Sequence, residues 1–499
     1  MLRRQGTVAV RRAVAIALLL ALPACATNPA TGRRQLMLVS ENQEIEMGRN
    51  ADKEIEGAFG LYPDEKVQAY VARLGAELAA SSERKNLPWT FRVVDDPTVN
   101  AFALPGGFIY VTRGLMTHLN SEAELVSVLG HEIGHVTARH TAAMLSKQQF
   151  AMLGLGVGMI VRPELQQFGQ LAQAGVGLMF LKFGRDAERQ ADDLGLRYLD
   201  RLDYDPEEAV EVFSVLERAS QRQGEGGRLP SWLSTHPAPE DRAQRLRAAI
   251  TAGSLDGDKV DRDEYLDQID GMVFGENPRE GFFVQNAFYH PELRFSLRFP
   301  QGWKADNQRQ AVGAVSPNQD ALVVMSLERS ASADQAAQEF FRQQGVRPAQ
   351  TQRTSINGKP AIAGVFEAIS GQTLLAGRVA FIEHGGKVYR ILGYTPQARW
   401  RSYDRVFADA IASFDDVTER RYLDVQPQRI NIVESGGATS VATFASRHPT
   451  PVSAEVLALI NGVAAGGVLP AGEDVKTVVG ARLPGDDRNA LPARPARRR

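Results

Sequence analysis

The stretch from His131 to His135 reads H-E-I-G-H, and its residue types and spacing suit a metal-dependent hydrolase. Two histidines four residues apart on an α-helix lie ~40° apart around its axis, so both imidazoles leave the same face. That geometry allows both to bind one zinc ion. Glu132, next to the first histidine, can then take a proton from a water molecule that attacks the substrate. The alternative is an amphipathic helix that carries two incidental histidines.

The residues before this motif predict the helix that it needs. Ser121 suits a helix N-cap, and Glu122 and Glu124 place negative charge in the first turn. Apolar residues then recur at helical spacing and form a stripe: Leu125, Val128, Leu129, Ile133 and Val136. We therefore expect the two histidines to lie on a buried helix.

A third ligand is expected, because a catalytic zinc site takes three protein ligands and keeps one position open. Glu188 and Asp192 are four residues apart and would share one face of a helix. One carboxylate could bind the metal while the other orients a ligand histidine. Acidic pairs are also common on solvated helix faces, so this pair alone does not decide between a metal site and an exposed acidic surface.

Together, H-E-I-G-H-V-T-A-R-H and E-R-Q-A-D resemble the zinc metallopeptidases of the CAAX prenyl endopeptidase type, most of all their soluble periplasmic bacterial members. The resemblance implies one Zn²⁺ per chain on three ligands: His131, His135 and Glu188. It also implies that Asp192 supports a ligand histidine from the second shell. The family usually has Ser-Arg shortly before the glutamate ligand, whereas this chain has Gly184 before the arginine, so any role of that hydroxyl is absent here.

Residues 100–111 resemble the family's strand pair beside the metal. Pro105-Gly106-Gly107 is typical of a turn, and Phe108 to Val111 of a strand. The resemblance implies that an edge strand before this turn binds the substrate backbone by β-addition. That strand comprises Asn100, Ala101, Phe102 and Ala103. A plain core hairpin is the alternative, and both interpretations can hold together.

His236-Pro237, with Arg242 six residues after the histidine, resembles the family's H-P-x-x-x-x-R segment. The resemblance implies that His236 and Arg242 lie near the metal and stabilise the oxyanion. In some members the histidine occupies the open zinc position and keeps the enzyme latent, so both roles stay open for His236. Glu132 would pass its proton to the leaving amine. No metal is assigned to the other histidines, which include His118 and His140.

The N-terminus predicts export and lipidation. Four arginines precede an apolar run from Ala13 to Leu22, which is too short to span a bilayer. The run ends in Leu-Pro-Ala-Cys, which resembles a bacterial lipobox, and Cys25 is the only cysteine. We expect residues 1–24 to be a lipoprotein signal peptide and Cys25 to be lipidated. Ala26 after it implies the outer membrane of a Gram-negative bacterium; an ordinary signal peptide is the alternative.

The composition, 43% hydrophobic and 23% charged, is that of a globular protein, and the length suggests two to four domains. The expected fold class is α+β: a mainly helical zincin-like metalloprotease domain with a small β-sheet edge, an α+β accessory domain and a small LysM-like βααβ module. The expected segments are a tether at 25–39, the protease at 40–252, a linker at 253–285, the accessory domain at 286–418, the module at 424–480 and a disordered tail at 483–499.

Three segments carry further expectations. Met152 to Val161 is apolar with spaced glycines, which fits either a mobile lid or close helix packing.

In the accessory domain, apolar and polar residues alternate as in strands, which predicts an antiparallel sheet with helices packed on it. The C-terminal module has Gly437-Ala438-Thr439 where LysM modules usually have Gly-Asp-Thr, so it is either a degenerate peptidoglycan binder or a packing module.

The sequence therefore predicts a periplasmic, lipid-anchored zinc endopeptidase that degrades misfolded or stalled envelope proteins. The alternative is a mainly latent chaperone or assembly scaffold for outer-membrane proteins, tethered at the cell wall. Removing residues 1–24 takes away four arginines and no acids and changes the formal charge from −2 to −6. This acidity gives no reason to expect nucleic-acid binding. The expected partners are unfolded envelope proteins, the membrane and, if the C-terminal module binds glycan, peptidoglycan.

Overall fold

The computed structural model describes residues 25–155, 178–179, 181–223, 232–237, 242–370 and 373–484. The chain divides into two compact units. The first comprises the chain up to Met272 together with Ile432–Phe444 and Glu455–Lys476. The second comprises Val273–Asn431, Ala445–Ala454 and the chain from Thr477 onward. The predicted α+β class is confirmed, while the C-terminal module predicted at 424–480 is divided between the two units.

Helices dominate the described part of the first unit. They are α1 (Glu41–Phe59), α2 (Glu65–Ser81), α3 (Arg113–Met116), α4 (Glu122–Thr137), α5 (His140–Leu155), α6 (Arg185–Asp200), α7 (Glu208–Gln223), α8 (Trp232–Thr235), α9 (Arg242–Gly253) and α10 (Arg262–Ile269). The strands are β1 (Cys25–Thr27), β2 (Arg34–Leu36), β3 (Thr90–Val94), β4 (Ala101–Leu104) and β5 (Phe108–Thr112).

A small mixed sheet lies beside the helices in the order β3-β5-β4. β3 runs parallel to β5, and β4 pairs antiparallel with β5 across the turn at residues 105–107. The turn and the strand predicted from Phe108 are confirmed. Gly106 has φ +83°, and a Cβ there would lie 2.6 Å from the Cα of Ile45 on α1, so the turn requires glycine. β4 is the edge strand of this sheet, as its predicted role in substrate binding requires.

The segment expected to be a free tether is folded onto the first unit. β1 and β2 pair antiparallel, and Asn28 Nδ2 donates a hydrogen bond to the carbonyl of Ala138, just past the end of α4. The backbone N–H of Leu38 donates to Ser146 Oγ on α5 at 2.8 Å. These hydrogen bonds hold residues 26–39 against the start of α5, which the local composition of turn-forming residues did not indicate.

The segment expected to be a linker also contains regular structure. α10 buries Tyr265, Leu266 and Ile269, and it packs against α2 and α4. Tyr265 Oη donates a 2.6 Å hydrogen bond to the carbonyl of Met116. The apolar residues of this short helix are sparse among aspartates and glycines, so the composition of residues 253–285 concealed them.

The second unit is built on a large antiparallel sheet in the order β10-β11-β12-β16-β15-β14-β13. Its helices, within the described residues, are α11 (Ala333–Phe341), α12 (Trp400–Ala412) and α13 (Arg420–Leu423). Its strands are β6 (Val273–Phe274), β7 (Phe282–Val284), β8 (Ala287–His290), β9 (Phe295–Arg298), β10 (Lys304–Gln308), β11 (Ala311–Val315), β12 (Leu322–Glu328), β13 (Val346–Ile356), β14 (Lys359–Ser370), β15 (Thr373–His384), β16 (Lys387–Pro396), β17 (Asp415–Asp416) and β18 (Gln428–Glu434).

Two hydrophobic cores lie on opposite faces of this sheet. Phe407 of α12 packs with Ala380 and Ile382 of β15, whereas Phe340 of α11 packs with Val379 and Phe381. Alternate residues of a strand point to opposite faces, so the two helices cover the two sides. The predicted antiparallel sheet with packed helices is confirmed.

The C-terminal elements are, in chain order, β19 (Thr439–Ser440), α14 (Val441–Arg447), α15 (Ala454–Ile460), β20 (Val468–Leu469) and β21 (Asp474–Val479). The predicted LysM-like module stays a prediction. Within the first unit, the buried Lys476 donates hydrogen bonds to the carbonyls of Leu119 at 2.5 Å and Thr117 at 3.3 Å, just before α4. Asn461 bonds the backbone of Lys476 in both directions. The segment Glu455–Lys476 thus braces the start of the histidine-bearing helix; glycan binding stays a prediction.

Two sequence expectations concern residues without a described structure. The glycine-rich stretch expected to be a lid or a packing segment lies outside the described residues from Gly156 onward, and the signal peptide lies outside them entirely. The described helices include none that combines the length and the apolar composition needed to cross a lipid bilayer.

Lys476→Ala should lower the free energy of unfolding of the first unit by about 2–4 kcal/mol. The change leaves two buried carbonyls without their hydrogen-bond donor. Chemical denaturation followed by circular dichroism would measure the loss. Lys66→Ala, at an exposed lysine of α2, is the control; equal stability of the two variants would contradict the bracing role.

Candidate metal centre

Helix α4 positions the two histidines of the motif. The Ser121 side chain accepts a hydrogen bond from the backbone N–H of Glu124 at 3.0 Å, which confirms the predicted N-cap. Every residue of α4 is buried, as the apolar stripe predicted. His131 and His135 project together, and their Nε2 atoms lie 3.0 Å apart.

Helix α6 brings the predicted carboxylates to these histidines. Glu188 Oε2 lies 3.6 Å from His131 Nε2, and its Oε1 lies 3.6 Å from His135 Nε2. Asp192 Oδ1 lies 3.0 Å from His131 Nδ1, on the opposite side of that ring. The structure therefore places Glu188 as a ligand candidate and Asp192 behind His131, as the sequence predicts.

A glycine contact sets the distance between α4 and α6. A Cβ on Gly134 would lie 2.9 Å from the carbonyl oxygen of Ala191, a separation that real Cβ atoms essentially never show. The glycine inside the H-E-I-G-H motif thus lets α6 approach closely enough for its carboxylates to reach both imidazoles.

His236 joins the same cluster from the short helix α8 region. Its Nδ1 lies 3.2 Å from Glu188 Oε1, and its Nε2 lies 3.6 Å from Glu132 Oε1. Its ring stacks on Trp232 with centroids 4.9 Å apart and an interplanar angle of 15°. One ligand atom from each of His131, His135, Glu188 and His236 can be chosen so that all lie within 4.8 Å of one another.

Arg242 lies behind this cluster. Its Nη2 donates to Asp192 Oδ1, and its Nη1 is 3.9 Å from Glu188 Oε2. Its guanidinium covers the ring of Phe213, with the Cζ 3.6 Å from the ring centroid. Arg242 thus holds the carboxylate that contacts His131; its role at the oxyanion stays a prediction.

No role was predicted for His140, but the structure places it in this site. Its Nδ1 lies 3.0 Å from His135 Nδ1, and its Nε2 lies 2.8 Å from Gln190 Oε1. The position of His140 does not follow from the helical spacing of His131 and His135, because α4 ends at Thr137 and Arg139 turns the chain with φ +60°. A third histidine five residues after the motif was the available signal.

The buried polar atoms of this cluster fit a divalent metal ion. Three imidazoles and a carboxylate are a donor set that suits zinc. Imidazole nitrogens 3.0 Å apart, as in His131 and His135, need a proton or a cation between them. Within the described part of the chain, neither carboxylate oxygen of Glu132 has a hydrogen-bond partner, although the residue is fully buried. Such an orphaned carboxylate is expected where a water molecule or a substrate binds.

The charges of the cluster are strongly coupled. Burial lowers the pKa of His131, but hydrogen bonds to Asp192 and Glu188 outweigh it and raise the pKa to about 9. Burial holds the pKa of His135 well below its usual value; the Glu188 carboxylate raises it in part, and the neighbouring imidazoles lower it again. Burial raises the pKa of Glu188, but the surrounding histidines reverse that shift and hold it far below the usual range. Glu188 is therefore ionised and ready to bind a cation.

A small cavity separates β4 from α4, the helix that carries His131 and His135. It has a volume of about 10 Å³, room for at most one water molecule, and its lining includes Ala103, Leu104, His135, Val136 and Ala142. The side chain of Phe102 stacks on Tyr110 in the core, with centroids 4.9 Å apart. The predicted strand residues Ala101 and Phe102 are buried, as is Asn100 just before them. An extended chain beside β4 would therefore lie next to a metal ligand.

Residues 65–250, which contain the predicted ligands, Glu132, Asp192, His236 and Arg242, match the profile of Peptidase family M48. This chain carries a peptidase family M48 domain. The mitochondrial metalloendopeptidase OMA1 of Schizosaccharomyces pombe is 31% identical over 223 residues, which cover 44% of this chain and 64% of that protein. The beta-barrel assembly-enhancing protease of Escherichia coli is 29% identical over 245 residues, which cover 46% of this chain and 50% of that protein.

This chain thus spans between half and two thirds of the length of these two relatives of its M48 domain. Among solved structures, cyanobacterial PsbP from Synechocystis sp. PCC 6803 is similar at 12% identity, over 27% of this chain and 94% of that one. The TM-score of that match is 0.22, which is too low to bear on fold or function.

Metal binding to the M48 domain should release about one proton per ion at pH 7. His131 is protonated there in the metal-free protein, because its pKa is about 9, and ligation through Nε2 displaces that proton. The affinity for Zn²⁺ should therefore rise about tenfold per pH unit near pH 7–8 and level off above about pH 9. Calorimetric titrations in buffers of different ionisation enthalpy count the protons; no release at pH 7 would contradict the assignment.

Proposed function

We propose that this protein is a zinc-dependent endopeptidase that hydrolyses peptide bonds of misfolded or stalled proteins of the bacterial envelope. The observation that carries the proposal is the buried, unbonded carboxylate of Glu132 beside four convergent metal-binding groups. His131, His135 and Glu188 would hold the ion. When bound, zinc would supply the positive charge that activates water and polarises the peptide carbonyl.

Glu132 performs the proton transfers of this mechanism. Its carboxylate is fully buried and accepts no hydrogen bond from the described residues, so it is free to accept a proton from the attacking water. The same oxygen then donates that proton to the leaving amine nitrogen. Asp192 fixes the ring of His131 from behind, and Arg242 holds Asp192 in turn.

The substrate is proposed to bind as an extended strand. The backbone N–H and C=O of Asn100 both bond Thr112, so the outer edge of β4 would offer backbone groups for β-addition from Ala101 to Ala103. A folded protein rarely presents an extended segment, so this mode of binding selects unfolded or incompletely assembled clients.

The proposed location is the periplasm, with a lipid anchor at Cys25 that attaches the protein to the outer membrane. The support is the short apolar leader and its Leu-Pro-Ala-Cys ending. The Escherichia coli relative is named for β-barrel assembly, whereas the Schizosaccharomyces pombe relative is named as mitochondrial. Peptidoglycan remains a proposed partner of the LysM-like module.

A second function is favoured by the position of His236. A ring nitrogen of His236 lies within 4.8 Å of ligand atoms of the other three groups, and the ring lies beside Glu132, so four protein groups converge, the number that a closed zinc site takes. Zinc sites with four protein ligands are structural rather than catalytic. In this arrangement the protein would act as a latent chaperone or scaffold until His236 withdraws.

Glu132→Gln should abolish cleavage and leave metal binding intact. Loss of a general base lowers turnover by about 100- to 10,000-fold, while the three ligands remain. The mature soluble form would be assayed on casein, with zinc content measured on the same samples. Glu46→Gln, an exposed position of α1, is the matched control. Cleavage that persists in Glu132→Gln would refute the proposed mechanism.

His236→Ala separates the two functions. If His236 is the fourth ligand, its removal opens the site, so casein cleavage should rise several-fold while the affinity for zinc falls. If it instead stabilises the oxyanion, cleavage should fall at unchanged zinc affinity. From the observed position of His236 we expect cleavage to rise. A fall in cleavage would reject the role of His236 as a fourth ligand that keeps the enzyme latent.

A further inference from the structure

A chain of hydrogen bonds leads away from the metal site through His135. The Nε2 atom of this histidine faces the other ligands, and its Nδ1 lies 3.0 Å from Nδ1 of His140. On the far side of the His140 ring, Nε2 lies 2.8 Å from the side-chain oxygen of Gln190. His135 and His140 are both buried, so these contacts are made away from bulk water.

With the Gln190 oxygen facing His140, one arrangement of protons satisfies both contacts and leaves His135 able to bind a metal ion. The amide oxygen of Gln190 only accepts, so His140 must carry a proton on Nε2. Neutral His140 then has a lone pair on Nδ1, and the facing Nδ1 of His135 must donate to it. His135 in that tautomer keeps the lone pair of Nε2 for a metal ion. If His140 donated to His135 instead, the proton of neutral His135 would lie on Nε2 and would prevent that atom from binding a metal ion.

We propose that His140 and Gln190 are positioning residues that hold His135 in its metal-binding tautomer and orientation. The proposal rests on the proposed role of His135 as a zinc ligand. Gln190 would do for His135, through His140, what Asp192 does for His131 directly. Both supports come from α6, the helix that also supplies Glu188, so one helix carries a ligand and orients the other two.

The competing explanation is that His140 only fills space. Its ring lies 4.9 Å from the His135 ring and 6.1 Å from Phe183, so it also contributes to packing. A phenylalanine at this position retains the ring and removes both nitrogens. Gln190→Leu removes the acceptor at similar size, and Gln190→Glu keeps an acceptor oxygen and adds negative charge. These three variants separate the hydrogen bonds from the volume.

The affinity for Zn²⁺ should fall about 10- to 100-fold in His140→Phe and in Gln190→Leu, since losing a support of this kind has that typical effect. In Gln190→Glu it should be equal to or above that of the unmodified protein. Competition with a chromophoric chelator measures the affinity, and Co²⁺ absorption reports the ligand field at the site. Gln149→Leu, at an exposed glutamine of α5, is the control.

Thermal unfolding of the metal-free proteins completes the test. A changed melting temperature with unchanged zinc affinity in His140→Phe would assign the residue to packing and overturn the proposal. Equal loss of affinity in Gln190→Glu and Gln190→Leu would also overturn it. If the unmodified protein binds no zinc, the proposed function fails; if it binds zinc and all variants match it, only the role of His140 and Gln190 fails.

Discussion

The burial of α4 is the constraint on which the rest of the first unit depends. A helix with no exposed residue must find a partner inside the protein for each polar side chain that it carries. Glu122 receives hydrogen bonds from Tyr204 and Lys259, and Glu124 receives one from the backbone of Asn120. The histidines are satisfied by groups from α5 and α6. Glu132 alone among the charged residues of this helix makes no hydrogen bond in the described part of the chain, and this contrast supports its proposed role as the general base.

The predictions that succeeded concern short stretches of sequence. The N-cap at Ser121 and the shared helix face of His131 and His135 follow from one helical turn or less. The pairing of Asp192 with His131 came through the family resemblance and could not be read from spacing alone. His140 was missed because a single residue with positive φ redirects the chain. Lys476 was missed because its hydrogen-bond acceptors lie more than 350 positions away.

His236, the residue proposed to keep the enzyme latent, lies in the same cluster as the candidate metal ligands, which connects catalysis with latency. His236 touches both Glu188 and Glu132, so a movement of its loop would change the ligand set and the surroundings of the base together. Its stacking on Trp232 gives the His236 ring a defined position. The two proposed functions are therefore two states of one site, and the balance between them depends on whatever displaces this one ring.

The docked N-terminal segment has a practical consequence for preparing the protein. A soluble form is commonly obtained by trimming an anchored protein to the start of its first long helix, which here begins at Glu41. That cut would remove two hydrogen bonds: the one from the Asn28 side chain to the carbonyl of Ala138, just past α4, and the one from the backbone N–H of Leu38 to Ser146. An expression fragment that begins at Ala26 keeps both contacts, and an affinity tag is better fused at the other terminus.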